Sequence, residues 1–113
     1  MNNHENRARN LKKEGNNCSK SLYTAFKQDI NIGEGYPAPR SIEGKCGALL
    51  TALYILEKTG LGDKKDEFEK QFVATFRYSK CVDLMRYERR CLDYVWVSAR
   101  WLDEILSEAK KKK

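Results

Sequence analysis

The sequence predicts an all-α fold, a single-domain bundle of about five helices, and three observations carry that prediction. Only two prolines and seven glycines interrupt 113 residues, so few positions oppose helix. No long alternating run of Val, Ile and Thr marks a strand. Apolar residues instead recur at helical spacing in several separate stretches. Hydrophobic residues make up 41 % of the chain, and a chain this size buries roughly two-thirds of the surface that its unfolded form exposes. A core is therefore available without cross-links. The length fits one domain, residues 1–113, with 1–10 and 108–113 read as frayed tails.

The elements follow in order. Residues 5–14 allow a short basic helix anchored by Leu11, which Gly15 stops. Asn16 and Asn17 are good caps for the next helix. That helix begins at Cys18, and Leu22, Ala25, Phe26 and Ile30 continue its face at offsets of 4, 7, 8 and 12 residues. Residues 31–43 hold Gly33, Gly35, Pro37 and Pro39 and read as a loop. It is either a plain connector or one wall of a site.

The central helix runs from about Ile42 or Lys45 to Lys58, with Gly60 and Gly62 beyond it. Cys46, Leu49, Leu50, Leu53 and Leu56 fall on one of its faces. Gly44, Gly47 and Ala48 surround the cysteine with almost no side chain, which lets another group come close. Residues 64–77 form a fourth helix with Phe68, Phe72, Val73 and Phe76 as a core stripe. Ser79 is a candidate cap for a fifth, whose first turns carry Cys81, Leu84 and Met85. Cys91, Tyr94, Val95, Ser98, Leu102, Ile105 and Leu106 share the last apolar face. No Gly or Pro separates Cys81 from Cys91, so this segment is either one helix or two. In one straight helix the two cysteines stand about 15 Å apart along the axis, too far for a disulfide. A direct bridge requires a turn near Arg86–Arg90.

Composition excludes several function classes. No stretch approaches the ~18 consecutive apolar residues of a membrane span. The polar start, Asn2 to Asn6, lacks the apolar centre of a secretory signal. The expected location is the cytoplasm, where thiols stay reduced. The net charge of +6 comes partly from the run Lys110–Lys113, and the other basic residues are scattered. That distribution describes a solvated surface, with no nucleic-acid motif. His4 is the only histidine, so a Cys–His nucleophile pair has no base outside the terminus. Asp63, Asp66, Glu67 and Glu69 read as a solvated helix start, not an acid–base pair. Tyr87, Tyr94, Trp96 and Trp101 are spaced to pack the last helix or to mark a protein contact, and nothing requires an oligomer.

Four cysteines remain: Cys18, Cys46, Cys81 and Cys91. Their contexts are Gly15-Asn16-Asn17-Cys18-Ser19 with Ala25-Phe26, Gly44-Lys45-Cys46-Gly47-Ala48, Ser79-Lys80-Cys81-Val82-Asp83-Leu84 after Phe76, and a final Cys91 on an apolar helix. In these the chain resembles the C_GCAxxG_C_C family, small bacterial and archaeal proteins described as redox-active. The resemblance spans about residues 11–106. It departs at Thr51, where many members carry glycine, in the loop before Cys46, and in the short gap from Cys81 to Cys91. It implies a helical cytoplasmic protein with a redox or cofactor-linked role. It carries over onto the four cysteines and onto Gly44, Gly47 and Ala48 as small residues beside a site.

The reaction expected from the thiols is dithiol–disulfide exchange, in which one thiolate attacks a disulfide and a second cysteine resolves the mixed disulfide. Cys46 is the expected attacking residue, because its glycine-flanked position gives a partner access. Cys18 is the expected resolving one, with Cys81 and Cys91 as a second pair. Lys20, Lys45, Lys80 and Arg90 lie within two residues of a cysteine and favour thiolates. The partner is an unidentified redox protein, and no cofactor is needed. The alternative is a zinc or iron–sulfur site on the same four cysteines. Their spacings of 28, 35 and 10 residues contain no Cys-x-x-Cys knuckle. A third possibility is that all four are small buried hydrophobes.

Overall fold

The computed structural model describes residues 3–27, 30, 32, 33, 35, 42–87 and 91–111, and of residues 3, 85, 87, 91, 110 and 111 the backbone alone. Among these residues six α-helices form, α1 Asn3–Lys13, α2 Cys18–Lys27, α3 Gly47–Lys58, α4 Lys65–Phe76, α5 Cys81–Tyr87 and α6 Cys91–Lys111, with one turn of 3-10 helix, Gly62–Lys64, leading into α4. No strand occurs among the described residues, and one isolated antiparallel bridge joins Lys45 to Lys80. The fold is an all-α bundle. None of its described helices is long and apolar enough to cross a membrane.

Helix α3 is the buried centre. Gly47, Ala48, Leu49, Leu50, Thr51, Ala52, Ile55 and Leu56 are all buried along it, a wider face than the stripe read from spacing. It packs against α2, α4 and α6, while α1 lies across α2 and α6. The helix ends follow local chemistry. After α1 the Gly15 N–H bonds to the Lys12 carbonyl at 3.1 Å and the Asn16 N–H to the Leu11 carbonyl at 3.3 Å. Gly15 sits at φ +103°. These paired bonds make a Schellman stop. Gly60, at φ +81°, repeats it after α3, with Gly60 N–H to the Glu57 carbonyl at 3.2 Å and Leu61 N–H to the Leu56 carbonyl at 2.8 Å. Asn17 caps α2, its side-chain oxygen accepting the Lys20 N–H at 2.7 Å.

Several expectations change. The central helix begins at Gly47, with Cys46 as its cap residue, because Lys45 is held extended in the bridge. Ser79 is not the cap of α5. Its carbonyl is taken by the Cys46 N–H, and the Lys80 carbonyl accepts the Leu84 N–H, which puts Lys80 at the cap position. Val73 leaves the core stripe and is 36 % exposed. Phe68, Phe72 and Phe76 repeat every four residues along one inward ridge, whereas Val73 is turned about 100° from Phe72. Cys81 and Cys91 begin two separate helices, α5 and α6. Of the turn sought near Arg86–Arg90, Arg86 and Tyr87 are the end of α5, and residues 88–90 lie outside the described residues, as do Pro37, Pro39 and the side chains of Met85, Tyr87 and Cys91.

The amino-terminal segment, read as a frayed tail, is helix from Asn3, and its Ala8 is completely buried. His4 fixes it. The His4 Nδ1 lies 2.7 Å from Asp103 Oδ1 on α6, and its ring stacks on Phe26 of α2 with centroids 4.3 Å apart. Arg7 donates to the Ala25 carbonyl at 3.1 Å, and Glu5 lies 3.1 Å from Arg100. Helix α1 is therefore tied to two others by side chains that composition alone reads as solvated. Replacing His4 with alanine removes one part-buried hydrogen bond and one ring contact. The expected loss is roughly 1 to 2 kcal/mol, read as a lower denaturant midpoint. An unchanged midpoint would show that the His4 contacts add nothing to the docking of α1.

Candidate functional site

Two helices with cysteines at their starts meet at the Lys45–Lys80 bridge. Residues 42–45 form a tight turn closed by the Lys45 N–H on the Ile42 carbonyl at 3.0 Å. Glu43 and Gly44 take φ of 53° and 70° there, the pair of left-handed residues that a type I′ turn requires. The chain then pairs with residues 79–81. The Cys46 N–H donates to the Ser79 carbonyl and the Cys81 N–H to the Gly44 carbonyl, both at 2.8 Å. Each bond satisfies a donor that a helix start leaves unpaired. The two cysteines therefore anchor the junction through their backbones, and their thiols take no part in the bridge.

Side chains alternate across an extended segment. Lys45 and Lys80 share one face of the bridge, and Cys46 and Cys81 share the other. Lys45 is thereby turned from Cys46. Its Nζ lies 3.0 Å from Glu69 Oε2 on α4 and 3.4 Å from Glu43 Oε2. The hydrogen bond that it donates to Glu69 holds the Lys45 ammonium above the ordinary lysine range, against the effect of burial, and Glu43 adds to it. The lysine next to Cys46 in sequence serves these carboxylates and not the thiolate. Glu69 also leaves the solvated group in which the sequence placed it.

Cys46 is 2 % exposed, and its thiol is pulled below the usual range. The Cys18 thiol hydrogen-bonds to it, which is the main cause. Burial opposes the charge. The Leu49 and Ala48 N–H groups at the start of α3 face the sulfur and favour its anion, while Cys81 lies near enough to disfavour it. The side chain makes no full-geometry cap bond, so these two amides act through the field of the helix end. Cys18, Cys46 and Cys81 form no disulfide, and Cys18 and Cys81 are half-buried. Topology brings these three together from α2, α3 and α5.

The sequence's reason for choosing Cys46 as the attacking residue does not survive. Gly47 and Ala48 are buried with it, so its small neighbours provide close packing and not access. Gly44 is open, with nothing within 4 Å of a Cβ placed on it, and its glycine answers to the left-handed turn. The thiols within reach of solvent are Cys18 and Cys81. Cys91 begins α6, and its side chain, and with it the Cys81–Cys91 pair, lies outside the described residues. Among those residues no group of three or more His, Cys, Asp or Glu is arranged to hold a metal ion. The loop before the site is held by two tyrosines: Tyr23 donates to the Gly33 carbonyl at 2.6 Å and Tyr54 to the Ile32 carbonyl at 2.9 Å. Trp96, half-buried, lies under Arg9 and Arg100, and Tyr94 and Trp101 belong to the aromatic core.

The bridge and the Lys45–Glu69 pair are the parts that sequence reasoning missed. A one-residue β-contact leaves no periodic signal. The left-handed turn did have one, in Glu43-Gly44 just before the cysteine. Comparison with protein-family models, with curated proteins and with solved structures finds no match to this chain.

Proposed function

We propose that this protein is a thiol redox protein in which Cys18 and Cys46 interconvert between dithiol and disulfide, exchanging two electrons with a disulfide-bearing partner in a reducing compartment such as the cytoplasm. The observation that carries this reading is the hydrogen bond from the Cys18 thiol to a Cys46 sulfur whose acidity is raised at the start of α3. A thiolate at hydrogen-bonding distance from a second thiol is the arrangement that disulfide exchange needs. The resemblance of the four cysteine contexts to a redox-active family supports the same chemistry.

The balance is simple. A partner disulfide accepts attack by one thiolate and releases its first thiol. The second cysteine attacks the resulting mixed disulfide and releases the other. Two protein thiols become one disulfide, and the partner becomes two thiols. Because Cys46 is buried, it serves as the resolving thiolate, and attack begins at a half-buried cysteine.

The test is peptide mapping of the full chain, purified without oxygen and treated with a slight excess of a small organic disulfide. A Cys18–Cys46 linked peptide is expected, with the mass of two hydrogens lost and restored by dithiothreitol. Free alkylation of both residues after prolonged exposure would overturn the reading. Metal mass released by a chelator from the untreated protein would also count against it, in favour of a ligand role.

A further inference from the structure

We propose that Cys18 is the thiol that meets the partner disulfide, and that Cys46 first takes the Cys18 proton as general base and then resolves the mixed disulfide, with Cys81 outside the path of bond making. This rests on the dithiol reading above and assigns the order of its steps and the role of each sulfur.

The first argument is contact. The Cys18 thiol hydrogen-bonds to the Cys46 sulfur and favours its thiolate, so Cys18 is the donor of that bond. A thiol becomes a nucleophile by losing its proton, and a base has to lie within hydrogen-bond reach of the proton it takes. Cys46 meets that condition. The only histidine of the chain, His4, is held by Asp103 at 2.7 Å. Lys45 is turned to Glu69 and Glu43 across the bridge. The other groups that bear on Cys46 are the Ala48 and Leu49 amides of α3 and Cys81 of α5. The second argument is access. Cys46 is 2 % exposed and Cys18 is half-buried, so a partner sulfur reaches Cys18 and not Cys46.

The third argument is the register of the bridge. Lys45 pairs with Lys80, which sets Cys46 opposite Ser79 and makes Cys81 its diagonal neighbour. Diagonal neighbours in an antiparallel pair have Cα atoms about 7 to 8 Å apart, whereas a disulfide usually spans about 4.4 to 6.8 Å. The bonds donated by the Cys46 and Cys81 N–H groups, both 2.8 Å, fix that spacing. A partner joined to Cys81 is therefore out of reach of the Cys46 sulfur, and a partner joined to Cys18 is beside it. Cys81 acts on Cys46 through its charge.

The steps balance. In the reactive form the two sulfurs hold one proton between them. The Cys18 sulfur attacks the partner disulfide, its proton passes to Cys46, and the partner's first sulfur leaves as a thiolate. The Cys46 thiol gives that proton to the departing thiolate. The Cys46 thiolate then attacks the Cys18 sulfur and expels the partner's second sulfur. Cys18 and Cys46 end as one disulfide, and the partner ends as one thiol and one thiolate.

The experiment is an acid-quenched time course on the full chain with one equivalent of 5,5′-dithiobis(2-nitrobenzoate), followed by peptide mapping. The first nitrothiobenzoate adduct is expected on Cys18, before the Cys18–Cys46 linked peptide appears. In Cys46→Ser the adduct should stay on Cys18 and form more slowly, by roughly tenfold or more at neutral pH. That loss should shrink as pH rises, because hydroxide then replaces the missing base. Cys81→Ser should leave both releases of nitrothiobenzoate at the wild-type rate. A first adduct at Cys81 or Cys91 in the wild-type chain, a result that depends on no variant folding, would overturn the proposal. Formation of the Cys18 adduct at the wild-type rate in Cys46→Ser would remove the base and do the same. Both results leave the dithiol reading intact when the wild-type chain still ends with the Cys18–Cys46 bond. Absence of that product overturns both.

Discussion

Replacing Phe76 with alanine is expected to remove roughly 3 to 5 kcal/mol of stability, a large part of the 5 to 15 kcal/mol or so that holds a domain together. The residue is 1 % exposed and central to an aromatic cluster. Its ring meets Tyr94 edge-on at 4.8 Å and Phe72 at 5.0 Å, with Trp101 at 6.3 Å. Phe72 and Tyr94 touch each other at 6.0 Å, and Trp101 continues the cluster to Phe68 at 5.7 Å. Truncation leaves a cavity between α4 and α6 and removes three ring contacts at once. Each such contact is worth about 0.5 to 1.5 kcal/mol beyond its area. The melting temperature should fall by roughly 10 to 20 °C. Val73→Ala is the control, three residues away on the same helix. As a surface position it should change stability by no more than about 0.5 kcal/mol. Comparable losses at the two positions would put Val73 back in the core and the face of α4 in error.

That contrast shows where the sequence was legible. Phe68, Phe72 and Phe76 are unambiguous because large apolar residues at i, i+4 and i+8 can hardly avoid one face. Val73 could be placed on either side, since one β-branched residue adjacent to a stripe carries no phase of its own. The stops at Gly15 and Gly60 were equally plain, because a left-handed residue there leaves few alternatives to glycine. His4 went the other way. A histidine in a polar, basic segment reads as solvent-exposed until Asp103 and Phe26, about a hundred and about twenty residues away, supply its surroundings. Contacts of that sequence separation have no local signature.

The site divides similarly. That Cys18 opens a helix could be read from Asn16 and Asn17 before it, whereas no Gly or Pro marked the start at Cys91, and Ser79 stood one residue short of the cap before Cys81. That Cys18, Cys46 and Cys81 share one place depends on how α2, α3 and α5 cross, which no spacing encodes. Lys45 illustrates the cost of reasoning by adjacency. Next to Cys46 in sequence, it points the other way, because an extended residue and its neighbour occupy opposite faces. Its charge is matched by Glu69 from a helix twenty residues downstream.

The thiol hydrogen bond makes the second large prediction, on the acidity of Cys46. In the wild-type chain its titration, followed by the Cβ shift of ¹³C-labelled cysteine, should have its midpoint below the ordinary thiol value of 9.0. Cys18→Ala removes the largest of the groups that favour the thiolate. What remains is burial and the Cys81 charge, both opposing it, against the two amides at the start of α3. The midpoint should therefore move upward. The same change reaches stability. A group whose folded pKa lies below its unfolded one binds fewer protons in the folded state between the two values, so folding gains as pH rises through that window. The Cys46 contribution is complete above 9.0 and lost as pH falls through the folded midpoint. The stability difference between wild-type and Cys18→Ala chains should therefore widen as pH is raised toward 9.0 and flatten below the wild-type midpoint. A Cys46 midpoint that Cys18→Ala leaves in place would mean that the two sulfurs are not hydrogen-bonded in solution. The thiolate would then depend on the helix end alone, an effect of about 0.3 to 1 kcal/mol at most exposed ends, too small to poise a buried sulfur for exchange.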